Sequence, residues 1–250
     1  MLTSVIEAGV AVGAYPELAG KRVLITGLDV TNGVDVARSF AEQGCRIVLH
    51  LPDTGAEADA VLEMLSTTAE ELQVYNEPLA DMDAAVRFAQ TAAKVFGGLD
   101  AVINLIRFEP DQANTSGDVE RTVADQLQNA CLITRIAANR MRLTWSEGLI
   151  LNVLTCPTPD SRKHAAILGL ARYMLTSMTR TEAQQWAEHA IRINAVAPST
   201  EPSLSSSSLS SEPDVAALAL YLASQRGREL SGLVFDLEHA ALPAIPGLAA

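Results

Sequence analysis

His164 and Arg172 are the side chains whose types and spacing invite catalysis. With Leu168 they stand at i, i+4 and i+8, so a helix through them would carry all three on one face. An imidazole titrates near neutral pH and can pass a proton, while a guanidinium on the same face can hold developing negative charge. The run Asp160-Ser161-Arg162-Lys163-His164 reads equally as the solvated, charged start of a helix, in which His164 has no chemical task. His50, His189 and His239 share no metal-ligand spacing, and the scattered carboxylates form no acid/base pair. Hydrolase and metalloenzyme chemistry therefore has no support.

The second feature is the stretch from Arg22 to Gly44. It reads as a strand (Arg22-Val23-Leu24-Ile25-Thr26), a turn (Gly27-Leu28-Asp29-Val30-Thr31-Asn32-Gly33) and a helix ending at Gly44. Such a βα unit binds dinucleotides because glycines let the backbone approach a pyrophosphate, which rests on the unpaired N–H groups of the helix start. Gly27, Asn32 and Gly33 are the candidate binding residues of this turn. Thr31 fills the middle glycine position, and Asp29 and Asp35 flank the place for phosphate. A glycine-like backbone at Thr31 would cost about 1–2 kcal/mol, so the turn is expected to have changed shape. With no phosphate to bind, the two carboxylates would satisfy the positive helix start, a gain of about 0.3–1 kcal/mol each.

These residues need elements to position them. Short apolar runs near 22–27, 46–51, 72–76, 100–105, 148–154, 191–196 and 232–238 alternate with longer amphipathic stretches. That rhythm predicts an α/β fold: a single doubly wound domain with a seven-stranded, mainly parallel sheet and helices on both faces. The predicted layout is an N-terminal arm over 1–18, a domain over 19–240 with a Ser-rich loop at 199–211, and a tail over 241–250. In the first helix Val34, Ala37, Phe40 and Ala41 face the sheet, while Arg38, Glu42 and Gln43 face water. The 250-residue chain carries a formal charge of -12, with a pI near 4.7, and its Lys and Arg gather into no stripe. Nucleic acid and anionic membranes are excluded as partners on that ground. Cys45, Cys131 and Cys156 lack paired spacing, and residues 1–18 lack a basic start and contain Glu7, Pro16 and Glu17. A reducing, cytoplasmic location is the expectation.

Several local sequences, in order, resemble the short-chain dehydrogenase/reductase family. They are Leu18-Ala19-Gly20-Lys21, Thr26-Gly27 with Gly33, Asn104, the run Ile191-Arg192-Ile193-Asn194-Ala195-Val196-Ala197-Pro198, and Glu212-Pro213-Asp214-Val215-Ala216 followed by Tyr221-Leu222-Ala223-Ser224 and Ser231-Gly232. The likeness runs from about Leu18 to His239 and implies a Rossmann-like fold, a nicotinamide dinucleotide and hydride transfer. In that family a tyrosine is the acid/base, a lysine four residues later lowers its pKa, and a serine thirteen residues earlier orients the substrate. Those positions fall on Leu168, Arg172 and Thr155 with the spacing intact. Leu168 has no proton to transfer; Arg172 keeps charge but is no equivalent of lysine, and Thr155 keeps a hydroxyl. The family's helical asparagine falls at Gln126 or Leu127. Asn104 keeps a cofactor position, but Leu105, Ile106 and Arg107 follow where the family has asparagine, alanine and glycine. Leu51 and Pro52 stand where a ribose or 2′-phosphate partner would be, with Asp53 displaced from it.

Three functions follow. The first is a non-catalytic relative acting as a subunit or scaffold, with no cofactor or only weak NAD(P). The resemblance implies its assembly through helices at 115–141 and 162–188, as a homo-oligomer or with an active relative. The second is an oxidoreductase with a rebuilt Thr155/His164/Arg172 site. The third is a nucleotide or small-ligand module without turnover.

Overall fold

The computed structural model describes residues 15–111, 119–157, 161–199, 209 and 211–237. Seven strands form one sheet: β1 (Arg22–Thr26), β2 (Arg46–His50), β3 (Glu71–Tyr75), β4 (Ala101–Arg107), β5 (Gly148–Thr155), β6 (Ile191–Pro198) and β7 (Val234–Leu237). Their order is β3-β2-β1-β4-β5-β6-β7, and every pairing is parallel. Among the described residues the long helices are α1 (Val34–Glu42), α2 (Ala56–Thr68), α3 (Met82–Ala92), α4 (Val119–Leu143), α5 (Arg162–Trp186) and α6 (Glu212–Ala223). All seven predicted strands are present, with ends shifted by one or two residues.

The central strands are continuous apolar runs because helices cover them on both sides. Side chains of α1, α2 and α6 build the core on one face, and α3, α4 and α5 build two clusters on the other. Strand order reverses between β1 and β4, so a crevice opens at their carboxyl ends, flanked by the α1 start. Ser161 and Ser211 cap α5 and α6 by accepting the N–H groups of His164 and Asp214, which fixes where each helix begins.

Two predictions need correction. Val36, rather than Val34, joins Ala37, Phe40 and Ala41 on the buried face of α1, because the helix starts at Val34 and turns Val36 inward. Gln43 is buried rather than solvated, with its Oε1 accepting the Tyr15 N–H. Of the stretch 1–18, the described residues Tyr15 to Leu18 lie on the domain, with a 3₁₀ turn over Pro16–Leu18, Tyr15 and Leu18 in the core and the Arg226 guanidinium over the Tyr15 ring. Residues 1–14, most of the loop at 199–211 and the tail at 241–250 lie outside the described residues, as do 115–118 of the first long helix. That helix continues to Leu143. No helix among the described residues is long and apolar enough to cross a membrane.

Candidate active site

The turn after β1 is held together by its own Asp29. Asp29 and Asn32 exchange backbone hydrogen bonds, and Asp29 Oδ1 accepts both the N–H (2.7 Å) and the hydroxyl (2.6 Å) of Thr31. This is the local side-chain turn that aspartate favours. It leaves Thr31 out of left-handed backbone; among described non-glycine residues only Trp145 and Ala190 have positive φ. Thr31 therefore carries no conformational penalty.

Other carboxylates meet further backbone donors. Asp53 Oδ2 accepts the Val30 N–H at 3.1 Å, and Glu212 Oε1 accepts the Asp35 N–H at 2.7 Å. The Gly33 N–H acts on the same Glu212 carboxylate. Burial, then the Asp35 and Asp29 charges, hold the Glu212 carboxyl above its usual range against the two N–H groups. The donors that would cradle a diphosphate thus face carboxylates of the chain itself, and in this arrangement they do not fit a second anion.

The two glycines have a neighbour of their own. A Cβ on Gly33 would lie 2.0 Å from Leu105 Cδ1, and one on Gly27 would lie 2.2 Å from the Leu105 carbonyl oxygen. Leu105 is buried in the core cluster beneath the turn. Two residues on, Arg107 reaches across the crevice: its NH1 lies 3.4 Å from Asp29 Oδ2 and 3.5 Å from Thr31 Oγ1, and its Nε donates to Glu109 at 2.8 Å.

Asn104 is 1% exposed and its side chain is spent inside the sheet. It accepts from the Thr26 hydroxyl and donates to Asn152 and Thr134. Beside it lies a cleft of ≈ 190 Å³ lined by Thr26, His50, Asn104, Arg107, Gln126 and Asn129 among others. That is below the roughly 300–1,000 Å³ usual for a ligand pocket. His50 Nε2 meets the Glu77 carbonyl at 3.0 Å and Nδ1 faces the Gly27 N–H at 3.4 Å, while burial holds its pKa below the ordinary histidine value.

At the catalytic end Leu168 is 2% exposed and packs with Ile106, Phe108, Leu127, Leu154 and Ile167 in one apolar cluster. Leu127 belongs to that cluster, and Gln126 pins the Glu109 backbone through both its N–H and its carbonyl. Arg172 donates to the Ala197 and Pro198 carbonyls, both at 2.9 Å, and pairs with Asp236, which ties α5 to the β6–β7 edge. The Thr155 hydroxyl lies 3.5 Å from the Ile106 carbonyl. His164 shares the inward face with Leu168, as its spacing predicts, but it is buried rather than solvated, with Nε2 3.1 Å from Asp111 Oδ1. No group of three or more His, Cys, Asp or Glu is placed to hold a metal among the described residues.

Two participants escaped the sequence reading. Glu212 was visible as the start of a motif, but its contact with Asp35 spans 177 positions and exists only once α6 lies beside α1. His50 gave no signal beyond its place at a strand end.

A parallel sheet with a reversed strand order and a βα turn at the reversal defines the class as a doubly wound nucleotide-fold domain. The family profile described as enoyl-(acyl carrier protein) reductase matches residues 33–219, and the chain belongs to the short-chain dehydrogenase/reductase family. Among curated relatives, glucose 1-dehydrogenase 2 of Bacillus subtilis is 24% identical over 190 residues, 74% of either chain. The 2-dehydro-3-deoxy-D-gluconate 5-dehydrogenase of Escherichia coli is 23% identical over 185 residues, 72% of either chain. A solved NADH-dependent reductase complexed with NAD superposes with a TM-score of 0.71 at 18% identity, over 89% of this chain and 97% of that one, a likeness of fold.

Proposed function

We propose that this family member transfers no hydride and serves as a non-catalytic subunit or scaffold. The observation that carries the reading is Leu168: the position of the family's acid/base holds a hydrocarbon packed inside an apolar cluster, where no proton can be passed. Fold membership confers a framework, and activity has to come from the site. Arg172 is drawn toward β7 by its own partners, which speaks against the rebuilt Thr155/His164/Arg172 site. The reading includes no NAD(P), or NAD(P) held only weakly, because the turn's donors meet carboxylates.

Assembly would run through α4 and α5, either with a second copy or with a catalytically complete relative. Tyr173, 71% exposed on α5, supplies an aromatic anchor of the kind enriched at interface hot spots. Calorimetry with NAD, NADH, NADP and NADPH tests the cofactor part of the reading: no heat of binding is expected from any of them, and micromolar binding would overturn that part, while turnover of NADH or NADPH with a carbonyl substrate would overturn the reading itself. Native mass spectrometry tests the assembly, and a strictly monomeric chain that captures no co-expressed relative would remove the subunit role.

The ≈ 190 Å³ cleft beside Thr26, His50 and Asn129 favours one second reading, a small-ligand module without turnover. A small uncharged ligand that raises Tm while NAD(P) does not would select it.

A further inference from the structure

We infer that Glu212 is the resident anion of the α1 start: its carboxylate stands in for a ligand phosphate and latches α6 to the glycine turn. The inference rests on the reading that the chain does not hold NAD(P) firmly, and adds which atom group takes the vacated role. The start of α1 is capped by Gly33, which has no side chain to offer, so its first N–H groups need an acceptor from elsewhere. Glu212 supplies it at 2.7 Å from the Asp35 nitrogen. It is available to do so because α6 is capped by Ser211, which leaves the first side chain of α6 to cross to α1.

The neighbouring carboxylates have other partners. Asp35 pairs with Arg38, and Asp29 with Arg107. Among the described residues no ion pair holds Glu212, whose partners are backbone N–H groups. An anion held by backbone donors at a helix start is bound as a phosphate would be. Asn32 Nδ2, in the same turn, is enclosed without a hydrogen-bond partner among the described residues, so the turn holds a further donor for an anion. Any anion that takes these donors must first displace the Glu212 carboxylate and so break this contact between α6 and α1. The latch thus couples the occupancy of the turn to the contact between α1 and α6.

The test uses inorganic pyrophosphate on the full chain, at matched ionic strength, with wild type, Glu212→Gln and Glu212→Ala. Backbone amide NMR follows Gly33 and Asp35, and thermal unfolding follows stability. In wild type neither amide should respond to pyrophosphate. In Glu212→Ala both should shift in a saturable titration and Tm should rise with pyrophosphate, with affinity about tenfold or more above wild type. Glu212→Gln keeps the acceptor oxygen and the bulk, so its response should fall between the two. Should the alanine variant fail to fold, Glu212→Asp, which withdraws the carboxylate by one methylene, carries the same titration. Silent amides in the variants, or a wild type that responds as strongly as they do, would overturn the latch. NAD binding is scored separately: tight binding to wild type removes the weak-cofactor part of the proposed function, and tight, equal binding to wild type and Glu212→Ala removes the latch as well.

Discussion

The two ends of the crevice are closed by different chemistry. Around the glycine turn the closure is polar: Asp29, Asp53 and Glu212 meet backbone donors, and Arg107 bridges to Asp29 and Thr31 at the rim. Around α5 the closure is apolar, with Leu168 inside a cluster drawn from β4, β5, α4 and α5. Polar closures exchange partners with solvent and ligand at modest cost, whereas an apolar cluster resists both water and a new hydroxyl. Single substitutions are therefore expected to reopen the polar end and to leave the end around Leu168 closed. Leu105 marks the border between them, since its side chain covers Gly33 while its strand neighbour Ile106 faces the Leu168 cluster.

The largest expected effect is at the apolar end. Leu168→Ala should cost about 2–5 kcal/mol in urea unfolding, as for other buried leucines. Rebuilding the family pair as Leu168→Tyr with Arg172→Lys should also destabilise, by about 1–3 kcal/mol from overpacking. It should yield no NADPH oxidation with a panel of carbonyl substrates. A stable, active double variant would erase the contrast between the two ends.

Next in size is a double-mutant cycle at the border. Gly33 has φ +92, and an added Cβ would strike Leu105. Gly33→Ala should therefore cost about 1–3 kcal/mol. In a Leu105→Ala background the collision disappears and only the backbone strain remains, so a coupling of about 0.5–2 kcal/mol is expected. Additive costs would show that backbone conformation alone keeps the glycine. Coupled costs would show that a glycine placed as a ligand-binding residue is held by a leucine.

That cycle also bears on what the sequence could reveal. The strands and the parallel order were legible because β4, β5 and β6 are continuous apolar runs and α1 has a clear amphipathic period. Leu168 could be set against the family's tyrosine position because the spacing from Thr155 to Arg172 is intact, and its apolar character was plain from its type. The closures were not. Asp53 contacts Val30 across 23 positions and Glu212 contacts Asp35 across 177, so neither pairing leaves a local pattern. Gln43 was misjudged for the same reason: its polar end is satisfied by Tyr15, 28 positions away, and periodicity sees only a polar residue late in a helix. His164 lies on the predicted face, but its burial depends on what α5 packs against.

A pH titration of stability sharpens the picture at the cleft between the two ends. Burial lowers the folded pKa of His50, so between that value and the unfolded pKa near 6.5 the unfolded chain binds more protons. The contribution of neutral His50 should be complete above about pH 6.5 and be lost as pH falls below it. Its slope is bounded by a single proton. His50→Gln, measured by unfolding from pH 7.5 to 5, should flatten that part of the curve; an unchanged slope would assign it to other groups.

The smallest stability effect is expected at Arg107, and it bears on the claim that the polar end can be reopened. Its side chain is half exposed, with Asp29 and Glu109 as partners, and exposed pairs of this kind contribute little. Arg107→Gly should cost about 0.5–1 kcal/mol, most of it the backbone freedom of a glycine at the end of β4. The same substitution removes the bridge over the turn and leaves the Thr31 and Asp29 contacts below it in place, so it should open the rim without admitting a diphosphate. Thermal shift with adenosine and with pyrophosphate separates the two outcomes: adenosine alone should gain binding in Arg107→Gly. A gain for pyrophosphate instead would mean that Arg107, rather than the carboxylates beneath it, keeps the turn closed.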